Sequence, residues 1–335
     1  MSYKQVIITE FGEPEVMKVV EVDMLPEPAA GEVRVKVQAT SACFTDTMVR
    51  KGVYFDLKKK PPFPPGYDMV GVVDKVGTGV TGLKVGQTVA DLTVSDAYTE
   101  YMCRRADAVV PMPDGVDPAE AVSLVLSYMT AYQMLHRSAK VQRGQSVLIH
   151  GAGGAVGSAL LELGKLMDLR MYGTGSKSKH ELITSLGGIA IDYRNEDFLE
   201  RVGKGSMDAA FDAIDMDNFK RSFKSLKKGG AFVAYGFYNN AMGRGGNVPI
   251  DFMRVMLWNV LPNGRSSQFY SITRMRKQHP EWFREDLAAL FDLLVQGKIK
   301  PAIERRMRLD EAVEAHKLIE KAAVKGRIVL MVGEE

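Results

Sequence analysis

The sequence predicts an α/β chain in which a doubly wound parallel sheet is joined to a second, β-rich domain. Three observations carry this. From Ser146 onward, short apolar strands alternate with helical stretches, the pattern of a parallel sheet with right-handed crossovers. Before residue 122, short strands are cut by Gly and Pro at turn-like intervals. The length of 335 residues, at about 150 per domain, fits two domains.

In the β-rich part, residues 1–122, Val33–Thr40 (VRVKVQAT) alternates apolar and polar side chains. Asp68–Gly77 (DMVGVVDKVG) repeats the theme, and Gly77–Ala90 is spaced by glycines. The run Lys58-Lys59-Lys60 followed by PPFPPG reads as a loop with a solvated charge run, because proline removes backbone donors and its neighbours avoid the helical region. The uncharged stretch Ala121–Gln133 is shorter than the roughly 20 residues a membrane span needs and reads as a buried helix. The N-terminal MSYKQVIITEFGEPE lacks the apolar core and cleavage site of a signal peptide, so the expected compartment is the cytoplasm.

The α/β unit is expected over residues 123–264. SVLI leads into a glycine-rich turn and a helix on which Val156, Ala159, Leu160, Leu163 and Met167 recur at helical spacing. LRMYGT, the helical KSKHELITSLG, IAIDY, MDAAFDAI, the helical NFKRSFKSLKKGG and AFVAYGF continue the alternation, which fades after Trp258. In residues 265–335, Pro280 suits a first helical turn and Trp282, Phe283, Leu287, Leu290, Phe291 and Leu294 form one apolar face, while RIVLMV reads as a last strand.

Composition narrows the function. Hydrophobic residues make up 46% and charged residues 25%, an ordinary globular balance. Lys plus Arg number 44 against 41 Asp plus Glu, a net charge of +3 that gives no basic footprint for nucleic acid. Only Cys43 and Cys103 are present, which excludes a disulfide framework and a four-cysteine zinc site.

The most informative segment is Gly151-Ala152-Gly153-Gly154-Ala155-Val156-Gly157. Read from Ala152 it is A-x-G-x-x-G, with Ala in the first glycine position. At a strand-to-helix turn, Gly154 lets the backbone approach a pyrophosphate and Gly157 lets the helix pack on the sheet, while the helix N-terminus offers N–H groups to the phosphate. An NAD site wants an acid about 20 residues on, at the end of the second strand, to hold the ribose 2′-hydroxyl. That place is taken by Gly173-Thr174-Gly175-Ser176, with no acid, and Asp168 comes too early. Ser176, Lys179 and Tyr193 can instead surround a 2′-phosphate. NADPH is therefore expected over NADH. His150 is read as packed beside the turn.

Four segments in this order, VKVQATSACFTDTMVRKGVY, PPFPPGYDMVGVVDKVG, VLIHGAGGAVG and GRIVL, resemble the zinc-free quinone oxidoreductase branch of the medium-chain dehydrogenase/reductase superfamily over essentially the whole chain. The resemblance implies a GroES-like β-rich catalytic domain made from both chain ends (1–122 and 265–335), a Rossmann NADP-binding domain (123–264), a site in the cleft between them, and a homodimer. Zinc alcohol dehydrogenases of the same superfamily use a Cys, a His-Glu pair and a further Cys. Here Cys43 stands at the first position, Tyr67 and Asp68 replace the pair, and LSYMTAY has no cysteine, so no metal is expected. The resemblance implies reduction of quinones or of α,β-unsaturated carbonyls (enals and enones) by hydride from NADPH. Tyr54 matches the pocket tyrosine and is the expected hydrogen-bond donor to the substrate oxygen, although it also reads as a packing aromatic. Asp46 is kept, and Tyr54, Cys43 and Asp46 are the expected catalytic residues, with Cys43 read as pocket lining because no flanking His or Arg activates its thiol. Relatives often have Asn at Cys43, Tyr at Met48 and Arg at Ala322, departures that bear on the substrate. Tyr128, Thr130, Gly236, Phe237 and Phe269 match cofactor-adjacent positions. The alternatives are an alcohol dehydrogenase and an NADPH-binding protein with little turnover, since the tail HPEWFREDLAALFDLLVQGKIKP resembles the vesicle-protein subgroup.

Overall fold

A computed structural model describes residues 1–333, and the chain forms two compact units: Met1–Leu126 with the chain from Leu287 onward, and Ser127–Asp286. The first unit opens with β1 (Tyr3–Ile8) and β2 (Met17–Val22), an antiparallel hairpin. Next comes β3 (Glu32–Ala42), whose Val33, Val35 and Val37 face the core while Lys36 faces solvent, the period-two pattern of a strand with one covered face. Then follow α1 (Phe44–Arg50), β4 (Met69–Val76), β5 (Thr88–Asp91), β6 (Tyr101–Arg105), β7 (Val110–Pro111) and α2 (Pro118–Ser123). Of the glycine-spaced stretch 77–90, only the end is strand. Gly79, Gly82 and Gly86 adopt positive φ and turn the chain before Thr88.

The buried helix expected over 121–133 is present. It passes through α2, a widened turn at Leu124–Tyr128, and α3 (Met129–Gln133). The second unit then alternates β8 (Ser146–Ile149), α4 (Ala155–Leu166), β9 (Arg170–Gly175), α5 (His180–Ser185), β10 (Gly188–Asp192), α6 (Phe198–Val202), β11 (Met207–Asp212), α7 (Met216–Ser225), β12 (Leu226–Ala234), α8 (Tyr238–Ala241), α9 (Val248–Val260), β13 (Ser266–Phe269) and α10 (Ile272–Gln278). Its sheet is parallel throughout, in the order β10-β9-β8-β11-β12-β13. The chain steps outward from β8 on one side, then returns to fill the other, so the C-terminal end of β8 is the switch point where such sheets bind ligands. Val147, Leu148 and Ile149 are fully buried, as a strand covered on both faces requires.

Two boundaries differ from expectation. KSLKKGG is not helical throughout: α7 stops at Ser225, and buried Leu226 begins β12 in register with Met207. The strand rhythm also does not end near Trp258. β13 pairs with β12 as a sixth strand, and the unit runs to Asp286 rather than 264. Its four residues, SSQF, are too short and polar to show an apolar pattern. α11 (Pro280–Val295) carries the predicted apolar face, with Phe283, Leu287, Leu290 and Phe291 buried. Beyond it lie β14 (Ile303–Arg308), α12 (Ala312–Glu320) and β15 (Arg327–Met331). β15 runs parallel to β14 and antiparallel to β3, so the C-terminal strand rejoins the first unit's sheet. Among the described residues no helix is long and apolar enough to cross a membrane.

Candidate active site

In the second unit the glycine turn leaves the buried end of β8 and enters α4. Gly151 takes φ +65°, and its carbonyl accepts the Gly154 N–H at 2.9 Å. Gly154 is the helix N-cap and no side chain caps it, which leaves the start of this twelve-residue helix to its own backbone donors. A Cβ on Gly157 would lie 2.3 Å from the Gly151 carbonyl oxygen, so only glycine lets α4 approach the turn this closely. A Cβ on Gly153 would lie 2.6 Å from Cβ of Lys179, because the stem of Lys179 lies against the turn. Two expected cofactor residues from distant stretches are thereby brought together. Gly175 ends β9, and its carbonyl accepts the N–H of exposed Tyr193 at 3.4 Å. Ser176 and Ser178 share a hydroxyl hydrogen bond of 3.0 Å. Ala155 and Val156 form the first turn of α4, both partly exposed. These residues fit a dinucleotide: small side chains where a phosphate would approach, donors at a helix start, and a lysine rather than an acid beyond β9.

The rings of Phe237 and Phe269 stack at 5.3 Å with 14° between planes, and Phe237 also meets Phe219 at 5.5 Å. Thr130 is buried on α3. The Arg194 guanidinium lies 5.6 Å from the centroid of the Tyr193 ring.

The first unit holds the other expected residues. Cys43 caps α1, and Asp46 closes the box by accepting the Cys43 N–H at 3.0 Å. The second oxygen of Asp46 accepts the Gly66 N–H at 3.2 Å. Asp46, proposed from sequence as catalytic, is thus fully buried and committed to backbone donors that fasten α1 to the Gly66 loop. Burial pushes its carboxyl up to about 7, against the lowering effect of the Cys43 contacts. Asp68 accepts from the backbone and hydroxyl of Ser41 at 2.7 and 2.9 Å, and burial raises it to about 6. Burial and the nearby Asp46 push the half-buried Cys43 thiol well up, so it is held as a thiol rather than an activated thiolate.

Tyr54 does more than pack. Its hydroxyl lies 2.6 Å from that of Tyr67, with the rings edge to face at 5.8 Å. Tyr67 is almost completely buried, Tyr54 partly so, and burial raises both phenols. One hydroxyl must donate to the other, which leaves a single hydrogen; with Tyr67 donating, Tyr54 directs that hydrogen at Asp56 Oδ2, 3.4 Å away. Sequence reasoning saw Tyr67 only as the residue replacing a metal-ligand histidine and missed the dyad. Among the described residues no group of three or more His, Cys, Asp or Glu is placed to hold a metal ion.

Residues 29–114 match the model of the alcohol dehydrogenase GroES-like domain, and residues 187–330 that of a zinc-binding dehydrogenase. Despite the second description, the donor set does not fit a catalytic zinc. The chain is 31% identical over 344 residues to the synaptic vesicle membrane protein VAT-1 homolog of Danio rerio, covering 98% of this chain and 70% of that one. It is 28% identical over 338 residues to human quinone oxidoreductase, covering 98% and 97%. The chain belongs to the zinc-independent quinone oxidoreductase branch of the medium-chain dehydrogenase/reductase superfamily. Among solved structures, the Escherichia coli quinone oxidoreductase complexed with NADPH matches this branch member with a TM-score of 0.85 at 26% identity, covering 98% of this chain and 99% of that one. The expected Rossmann-like and GroES-like pairing is the architecture observed.

Proposed function

We propose that the protein is an NADPH-dependent reductase of quinones or of α,β-unsaturated carbonyls that works without a metal. The observation that carries this is the turn after β8, where the stem of Lys179 lies on Gly153 and no acid stands at the end of β9. Gly153, Gly154, Ala155, Val156 and Gly157 would hold the pyrophosphate, and Ser176, Lys179 and Tyr193 the 2′-phosphate. Thr130, Gly151, Gly175, Phe237 and Phe269 would border the cofactor. Relatives titled as NADPH complexes, such as the Escherichia coli enzyme, support the choice of cofactor. Bound NADPH supplies a hydride to an electrophilic carbon.

This chain's residues then have a restricted task. As negative charge develops on the acceptor oxygen, the Tyr54 hydroxyl would turn its hydrogen from Asp56 Oδ2, 3.4 Å away, to that oxygen, and accepting a bond from Tyr67 strengthens Tyr54 as a donor. Burial keeps both phenols protonated, so they orient and stabilise while the final proton comes from solvent. Cys43 lines the pocket as an uncharged thiol. Asp46 acts by holding the N-terminus of α1, not by proton transfer. We place the protein in the cytoplasm as a homodimer. The unpaired edge of β13 and the exposed Met253, Leu257 and Val260 of α9 support self-association.

The test is NADPH oxidation across quinones, enals and enones, repeated with NADH. Consumption that depends on the acceptor and favours NADPH is expected. NADPH binding with no acceptor accelerating its loss would overturn the reductase reading in favour of a binding protein, the reading favoured by the similarity to a vesicle membrane protein homolog.

A further inference from the structure

His150 lies immediately before the glycine turn and is buried, 3% exposed. Around it runs an unbroken hydrogen-bond series wholly inside the second unit. Asp212, at the end of β11, accepts from Ser222 Oγ of α7 at 2.7 Å, and also from Asn218 Nδ2 and the Ile214 N–H. Ser222 has one hydroxyl hydrogen. With it given to Asp212, Ser222 Oγ can only accept at its 2.9 Å contact with His150 Nε2. The ring hydrogen therefore sits on Nε2, which leaves Nδ1 as an acceptor. Thr174 Oγ1, 3.0 Å away at the end of β9, donates to it. Thr174 Oγ1 in turn accepts the Gly151 N–H at 3.3 Å, and the Thr174 carbonyl accepts the Ala152 N–H at 2.9 Å.

A serine, histidine and aspartate in contact call to mind a nucleophile, but the geometry rules that out. Ser222 is fully buried and donates to Asp212 rather than to the histidine. Every bond instead donates in one sense, from the Gly151 N–H through Thr174, His150 and Ser222 to Asp212, so the series starts at Gly151, whose carbonyl both closes the turn onto Gly154 and packs against Gly157. We propose that His150, fixed as the Nε2–H tautomer, is a positioning residue that ties Ser222 and Asp212 to Thr174 and Gly151 and so sets the shape of the phosphate-binding turn. The groups facing His150 are Asp212 from β11, Asp215 and Arg221 from the start and body of α7, the Phe198 ring at 4.6 Å, and Tyr235, whose hydroxyl contacts the His150 carbonyl at 3.4 Å. Burial, aided by Arg221 and opposed by Asp212, lowers the ring's pKa and keeps it neutral, as an accepting Nδ1 requires.

This proposal rests on the reading of the turn as an NADPH site, and its test separates the two. Thr174→Val, Thr174→Ser and Ser222→Ala are titrated with NADPH by nicotinamide fluorescence, with far-UV dichroism and thermal melts verifying the fold. Thr174→Val is expected to weaken NADPH binding about three- to tenfold, the worth of one hydrogen bond, and Thr174→Ser to restore it. Ser222→Ala, remote from the turn, weakens binding in the same direction, and the losses fall on Kd and KM more than on kcat. Independently, histidine 15N spectra of the unliganded protein are expected to show the His150 hydrogen on Nε2. Should the wild type bind no nicotinamide dinucleotide, the functional reading fails and the spectra alone decide the tautomer. Hydrogen on Nδ1, binding by Thr174→Val equal to wild type, or failure of Thr174→Ser to restore it would overturn the positioning role.

Discussion

Replacing Gly157 by alanine puts the nucleotide turn under a calculable load. The new Cβ would lie 2.3 Å from the Gly151 oxygen and 2.5 Å from Ala152 Cα, where ordinary contact begins at 3.4 Å. Both obstacles are main chain, so the first turn of α4 must retreat by about 1 Å. Overpacking of this kind costs about 1–3 kcal/mol, and here the upper end applies because no side chain can rotate away. Alanine returns about 1 kcal/mol through helix propensity, leaving a net loss of about 2 kcal/mol. For a unit of this size that lowers Tm by about 4–8 °C. The larger effect is on binding. A 1 Å retreat takes N–H donors beyond hydrogen-bond range of a phosphate, and one charge-assisted bond of about 1.5–3 kcal/mol weakens NADPH at least about tenfold. The control is Gly164→Ala in the same helix, where the Cβ would meet Sδ of Met171 at 2.4 Å, a flexible side chain. Fluorescence titration and thermal melts of both variants decide the matter. Gly164→Ala should bind NADPH like the parent. Undiminished binding by Gly157→Ala would refute the placement of the phosphate, and equal weakening in both variants would mark the effect as general destabilisation.

Lys179→Ala should raise Kd for NADPH by about ten- to hundredfold while leaving NADH unaffected, since only the former presents a 2′-phosphate to the ammonium group; a parallel loss for both cofactors would remove Lys179 from that role. Asp46 is raised to about 7 in the folded protein, above the roughly 3.9 of an unfolded chain, so the folded state holds this proton more tightly. Its stabilising effect is complete below about pH 4 and lost as pH rises to about 7. Asp46→Asn should therefore flatten the fall in stability between pH 4 and 7, measured by urea unfolding, and an unchanged slope would contradict the assignment. Tyr67→Phe removes the partner hydroxyl of Tyr54 and should lower kcat with little change in cofactor Kd, read by steady-state kinetics beside the titration. Both cysteines should react with a thiol reagent at pH 7.5 more slowly than in the unfolded chain, because burial pushes Cys43 well up and Cys103 to about 11.

Most of the second unit was legible because its strands are covered on both faces and appear as short apolar runs between helical stretches. The exceptions share a cause. β13 is a polar four-residue edge strand with one neighbour, so pairing rather than burial defines it. The start of β12 carries Lys227, Lys228 and Gly229, exposed residues that read as a helix end and a turn, while only Leu226 reports the pairing with β11. The hairpin of β1 and β2 is likewise half exposed. Strand structure held by hydrogen bonds on a wet surface leaves a weak hydrophobic trace.

The candidate site divides along the same physical line. The glycine turn was legible because backbone conformation and close approach leave few residues acceptable at Gly151 and Gly157. Partnerships between distant side chains leave no such mark. Lys179 meets Gly153 across 26 positions, and His150 meets Ser222 across 72. Tyr67 is the sharpest case. Against the zinc enzymes it registers as a lost ligand, a purely negative statement. Under the proposed function, its contact with Tyr54 would make it a substitution of one means of stabilising oxygen charge by another, an uncharged donor pair in place of a cation. Such a pair stabilises charge less strongly than a metal does. Under the proposed function it would therefore suit acceptors already electrophilic at carbon, such as quinones and enones, better than the oxidation of unactivated alcohols.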